Sequence, residues 1–63
     1  MSEQTATIQR RTWTIELYFP EGVERIDHVT HVDFSARLNV AFVYIRGRLI
    51  PMVYPMPEKV VQL

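Results

Sequence analysis

Apolar and polar positions alternate without a break from Thr12 to Phe19. Trp13, Ile15, Leu17 and Phe19 fall on one side, and Thr12, Thr14, Glu16 and Tyr18 on the other. A sustained period of two predicts a half-buried β-strand. Pro20-Glu21-Gly22 follows as a tight turn. Val23, Ile26, Val29 and Val32 then recur at every third position. That spacing hints at a helix, but each step of three falls about 60° short of a full turn, so the four do not form a narrow stripe. Read as a strand, Val32, Phe34 and Ala36 share a face while Val29 lies on the opposite one. A long, bent strand with a bulge near Asp27 to Thr30 reconciles this change of parity, and Val, Ile, Thr and Phe favour strand. We read a bent strand here, with a helix from Glu24 to Asp33 as the alternative.

Arg37 to Tyr54 holds two apolar, β-branched and aromatic runs separated by Arg46-Gly47, the pattern of a hairpin. Leu38, Val40, Phe42 and Tyr44 oppose Ala41, Val43 and Ile45, and Ile50, Met52 and Tyr54 oppose Leu49 and Val53. Strands that are apolar on both faces want cover on both. A chain of 63 residues does not easily supply it, so other copies of the chain are expected to. Pro51 lies inside the second arm, which predicts an edge strand or a bulge there. Pro55-Met56-Pro57-Glu58 breaks the chain, and Lys59 to Leu63 suffices for one short last strand. The fold class is therefore all-β: a small, five-stranded, strongly bent barrel that assembles by edge-strand pairing. Residues 1–11 are expected to form a flexible polar arm, and residues 12–63 one domain.

Composition sharpens the expectation of assembly. A chain this short buries only about 60% of the surface its unfolded form exposes. Such domains usually add disulfides, a metal or oligomerisation. There are no cysteines, which removes disulfides and thiolate metal sites together. Seven basic and seven acidic residues leave no net charge. A duplex-DNA binder would carry a basic excess, although six arginines still permit a local patch. Met1 to Gln9 has no apolar stretch of a secretory signal, and no run approaches the ~20 apolar residues of a membrane span, so a cytoplasmic protein is expected.

Candidate chemistry is sparse. Asp27, His31 and Asp33 would point to one side of a regular strand, an oxygen and imidazole set, but no second cluster completes a metal site. The only serines are Ser2 and Ser35, and there is no glycine-rich phosphate loop. No activated nucleophile can be named, so neither an enzyme nor a cofactor is expected.

Gly22, Asp27, Val29 and Asp33, followed by the aromatic Phe34, stand at spacings that resemble the first motif of the Sm-like (Lsm/Hfq-type) small β-barrel family. Asp27 stands where that family prefers glycine. Leu38-Asn39 imitates its Met-Asn-like pair two residues late, and the Arg46-Gly47 turn resembles the tight hairpin of the bacterial branch. Tyr54-Pro55-Met56-Pro57 falls where that branch carries Tyr-Lys-His, without the Lys-His pair. A second register, in which Ile45-Arg46-Gly47 matches the archaeal and eukaryotic second motif, leaves too little chain for two strands before it. The resemblance spans about Thr14 to Val61, and the family's N-terminal helix has no counterpart here.

The resemblance implies a homo-oligomeric ring closed by strand pairing, with single-stranded RNA bound around the pore. Phe34 would stack a base and Asn39 would hydrogen-bond its edge, while Arg37, Arg46 or Arg48 would contact phosphate. Tyr54 completes the implied RNA-binding set. Stacking contributes about 1–3 kcal/mol per base and tolerates any sequence. The plainer reading is that Phe34 is core, Asn39 a turn residue and the arginines solubilise the rim. A rival function, from another class, is a protein–protein module (an inhibitor or accessory subunit) whose exposed strand edge extends a partner's sheet.

Overall fold

Residues 11–63 are described by the structure, a computed structural model, so the expected arm lies outside the described residues except for Arg11. Five strands follow in order: β1 (Trp13–Phe19), β2 (Gly22–Ser35), β3 (Val40–Ile45), β4 (Met52–Pro55) and β5 (Lys59–Gln62). They form one antiparallel sheet with the spatial order β4-β3-β2-β1-β5. The all-β class holds, and no helix occupies 24–33.

β2 is 14 residues long and organises the sheet. Its first half pairs with β1, from Phe19 opposite Gly22 to Trp13 opposite Val29. Its second half pairs with β3, from Val29 opposite Ile45 to Ser35 opposite Val40. Each ladder slips by one residue: against β1 between Ile26 and Val29, and against β3 between Val29 and His31. A bulge inserts one unpaired residue, bends the strand and increases its twist. Two in succession explain the every-third-residue spacing, because Ile26, Val29 and Val32 all return to the inner face. Val23 lies before the bulges, opposite Tyr18 on the outer face.

Local chemistry supports both bulges. His28 adopts φ 61°, in the left-handed region that a bulge can require. Its carbonyl still accepts the Arg46 N–H at 2.9 Å. The Thr14 hydroxyl donates to Asp27 Oδ1 at 2.9 Å across the first bulge. At the second, the Thr30 hydroxyl donates to the Tyr44 carbonyl at 3.1 Å.

The inner face carries the core. Ile15 and Leu17 of β1, Ile26 and Val29 of β2, and Ala41 and Val43 of β3 are buried. Trp13, Phe19, Val32, Ile45, Tyr54 and Val60 pack around that cluster. Each large aliphatic buried in this way contributes about 1.5–3 kcal/mol. The alternation of β1 is realised as the sequence predicts. β5 adds Val60 opposite Leu17.

The β3–β4 connection keeps the expected Arg46-Gly47 turn but not an arm that pairs directly after it. The Arg48 N–H donates to the Ile45 carbonyl at 3.0 Å, and Gly47 takes φ 87° at the third position of that turn. Positive φ there is the requirement of a type II turn, which selects glycine. The chain then stays off the ladder until Met52. Pro51 holds φ near about −65°, far from the roughly −140° of an antiparallel strand. Leu49 and Ile50 therefore belong to a loop rather than to β4. The expectation of an edge strand is met, since β4 ends the sheet.

Candidate nucleic-acid and strand-edge interfaces

The six residues expected to contact RNA divide between the two ends of β3. Phe34 and Tyr54 flank Ala41 in register, so all three share the inner face at the β2–β3 turn end. Phe34 remains 51% exposed because the sheet ends beside it. Arg37 and Asn39 lie in that turn, residues 36–39, and are exposed. The turn is held by the Leu38 N–H donating to Ser35 Oγ at 3.2 Å and by the Met56 N–H donating to the Asn39 carbonyl at 3.1 Å. Asn39 takes φ 59°, a conformation that asparagine tolerates better than most residues. Its backbone role at the turn is thus explicit.

Arg46 and Arg48 occupy the opposite turn, at the far end of β3. The Tyr54 side chain links the two ends. Its ring lies 6.4 Å from that of Phe19, and its hydroxyl reaches back to Met52 Sδ at 3.8 Å. Burial raises its pKa, the nearby Glu24 carboxylate raises it further, and Arg48 lowers it. Phe34, Arg37, Asn39 and Tyr54 therefore lie toward one end of β3, while Arg46 and Arg48 lie at the other.

The outer face is divided. On β1, the first half of β2 and β5 it is mainly polar and internally bonded, with Val23 and Val61 the apolar exceptions. Tyr18 donates to Glu16 at 2.7 Å, Arg25 approaches Asp27 at 3.7 Å, and Lys59 sits 4.7 Å above the Tyr18 ring. The hydrogen bond to Glu16 is the main cause of a raised Tyr18 pKa. On β3 and β4 the same face is apolar, with Val40 and Phe42 half-buried and Val53 57% exposed. Asp33 stands opposite Phe42, and the His31 and Tyr44 rings stack at 4.1 Å with 9° between their planes. No group of three or more potential metal ligands assembles among the described residues.

Among the described residues both edge strands are open, because β4 and β5 end the sheet on opposite sides and do not pair with each other. Within one chain the sheet is bent but not closed. The two edges differ chemically. The Met56 N–H points toward β3, so by alternation those of Met52 and Tyr54 do too, and positions 51, 53 and 55 point outward. Two of these three are prolines, which leaves Val53 as the outward donor. On β5 the Leu63 N–H donates to the Thr14 carbonyl at 2.9 Å, so the amides of Val60 and Gln62 face outward. β4 thus offers mainly acceptors, and β5 offers both donors and acceptors. Sequence patterning found Pro51 and the edge position of β4. It missed this asymmetry, which becomes visible only once each ladder's register is known.

Among the described residues, no helix is long and apolar enough to cross a membrane. The chain matches no family model, no curated protein and no solved structure.

Proposed function

We propose that this chain is an Sm-like subunit that assembles head to tail, β5 of one copy against β4 of the next, and binds single-stranded RNA. The observation that carries the reading is the pair of unlike open edges on a bent sheet of order β4-β3-β2-β1-β5. Two β4 edges would set proline against proline, whereas a β5 edge supplies the Val60 and Gln62 donors to the β4 carbonyls. Head-to-tail pairing of unlike surfaces closes into rings when the rotation permits. Phe34, Arg37 and Asn39 at one turn, with Tyr54 on the adjoining inner face, supply the stacking and charged groups that a single strand of RNA requires. Arg46 and Arg48 would meet phosphate from the opposite turn.

Light scattering behind a sizing column, with and without a short oligouridine, tests the reading. The expected result is an assembly of several copies that co-elutes with the oligonucleotide. Gln62→Pro, which removes an outward amide without removing a bond to β1, should reduce that mass. Phe34→Ala should weaken RNA binding by tenfold or more while leaving the mass unchanged. A monomer indifferent to oligouridine would discard the proposal.

A second reading is favoured by the two prolines of β4. They leave β5 the better edge for backbone pairing, which suits addition of β5 to a partner protein's sheet. In that case Gln62→Pro abolishes capture of the partner, and oligouridine has no effect.

A further inference from the structure

The loop 46–51 carries two aliphatic side chains that stand exposed among the described residues: Leu49 is 100% exposed and Ile50 76%. Along the chain on either side of them charge is one-signed. Between residues 34 and 57 the sequence has Arg37, Arg46 and Arg48 and no acidic residue. The chain is neutral overall, so the acidic excess lies in the other half of the fold. Where the two halves meet is a hollow of about 350 Å³ lined by Phe19, Gly22, Val23 and Pro55 together with Glu21 and Glu24. The volume is at the small end of the roughly 300–1,000 Å³ of ligand pockets, which suits a pair of aliphatic side chains better than a larger molecule.

We infer that a second copy of this chain is the occupant: Leu49 and Ile50 of each copy enter the hollow of the other, with Arg48 facing Glu21 and Glu24. The protrusion and the hollow match in both respects that decide such a contact, apolar against apolar at the centre and opposite charge at the rim. Within the described residues of one chain they do not engage, since Leu49 is fully exposed. Yet they lie near each other. Tyr54 stands between them: its ring is 6.4 Å from that of Phe19, which lines the hollow, and its hydroxyl reaches Met52 Sδ, next to the loop, at 3.8 Å. A surface that carries both halves of a complementary pair is self-complementary, the requirement for a two-fold contact in which each copy gives and receives the same groups.

This contact is independent of strand-edge pairing and uses no backbone hydrogen bond. Val53 and the β5 edge take no part in it.

The test is charge complementation read by analytical ultracentrifugation of the full chain, without RNA. Arg48→Glu alone and Glu24→Arg alone should each weaken self-association tenfold or more. An equimolar mixture of the two variants should recover to within threefold of the wild type, because both reciprocal contacts then pair opposite charges. Both positions are exposed, and circular dichroism verifies that the fold persists. Leu49→Asp should abolish the contact, while Gln62→Pro should leave it intact. Single variants that associate like the wild type would overturn the inference. So would a mixture no tighter than its components, since the charges would then act within one chain, or a wild-type chain that is monomeric throughout. Failure of the strand-edge proposal reads differently: Gln62→Pro is then without effect while the mixture still recovers.

Discussion

Two regions of one sheet, sharing a single core, treat their outer faces in opposite ways. Around β1, the first half of β2 and β5, polar side chains bond to one another: Thr14 to Asp27, Tyr18 to Glu16, Arg25 to Asp27. Around β3 and β4 the equivalent face presents Val40, Phe42 and Val53, and the adjoining loop presents Leu49 and Ile50. The inner faces show no such division, since Leu17, Val29 and Val43 are all fully buried. Folding therefore draws on both regions, whereas most of the exposed apolar surface of the outer face lies in one, with Val23 the main exception in the other. The exposed apolar positions of the β3–β4 region add little to the stability of one copy. They are accounted for if something covers them.

The largest expected effect comes from breaking what the regions share. Leu17→Ala should cost about 2–5 kcal/mol, a large part of the total stability of a domain this small. Urea unfolding followed by circular dichroism reads it, and an unchanged midpoint would mean that the core is not continuous. Next is the bulge where the two regions join. His28 sits at φ 61°, and a β-branched residue there would meet the roughly 1–2 kcal/mol penalty of the left-handed region. His28→Val should lower stability by about that amount and His28→Gly should not, as thermal unfolding of the pair would show.

A third comparison separates the outer faces. Thr14→Ala removes a hydrogen bond and should cost about 0.5–1.5 kcal/mol without affecting self-association. Val53→Lys should change stability by no more than about 0.5 kcal/mol while reducing self-association in sizing experiments. The reverse pattern would erase the distinction between the regions.

The smallest effect is the alkaline response. Tyr18 and Tyr54 both titrate above their usual 10.0, Tyr18 chiefly through its bond to Glu16 and Tyr54 chiefly through burial. A folded-state pKa raised above the unfolded one favours the neutral phenol. The associated stability is complete below about pH 10 and is lost as pH rises through the folded values. Spectroscopic titration of Glu16→Gln should return Tyr18 toward its ordinary value and leave Tyr54 unmoved.

Much of this was legible along the chain. The alternation from Trp13 to Phe19 names a strand and its buried side, because side chains of a strand point alternately to two faces. The drift of Ile26, Val29 and Val32 fits no narrow helical stripe, which left a bulged strand as the reading, and the ladders contain two bulges there. The candidate site was less legible. Phe34, Arg37 and Asn39 are near one another in sequence and remain so in space. Tyr54 joins them only through its register with Ala41, which no local pattern encodes.

By itself the sequence determined the five strands, the inner side of β1, the turn at Pro20-Glu21 and the need for glycine at position 47. These follow from local geometry: side-chain period, proline's fixed φ and glycine's access to positive φ. Only the tertiary structure decided where β4 begins, that Leu49 and Ile50 stand in a loop, and which edge amides face outward. Those depend on the pairing register between strands distant in the chain. A shift of one residue in that register exchanges inner for outer and bonded for open.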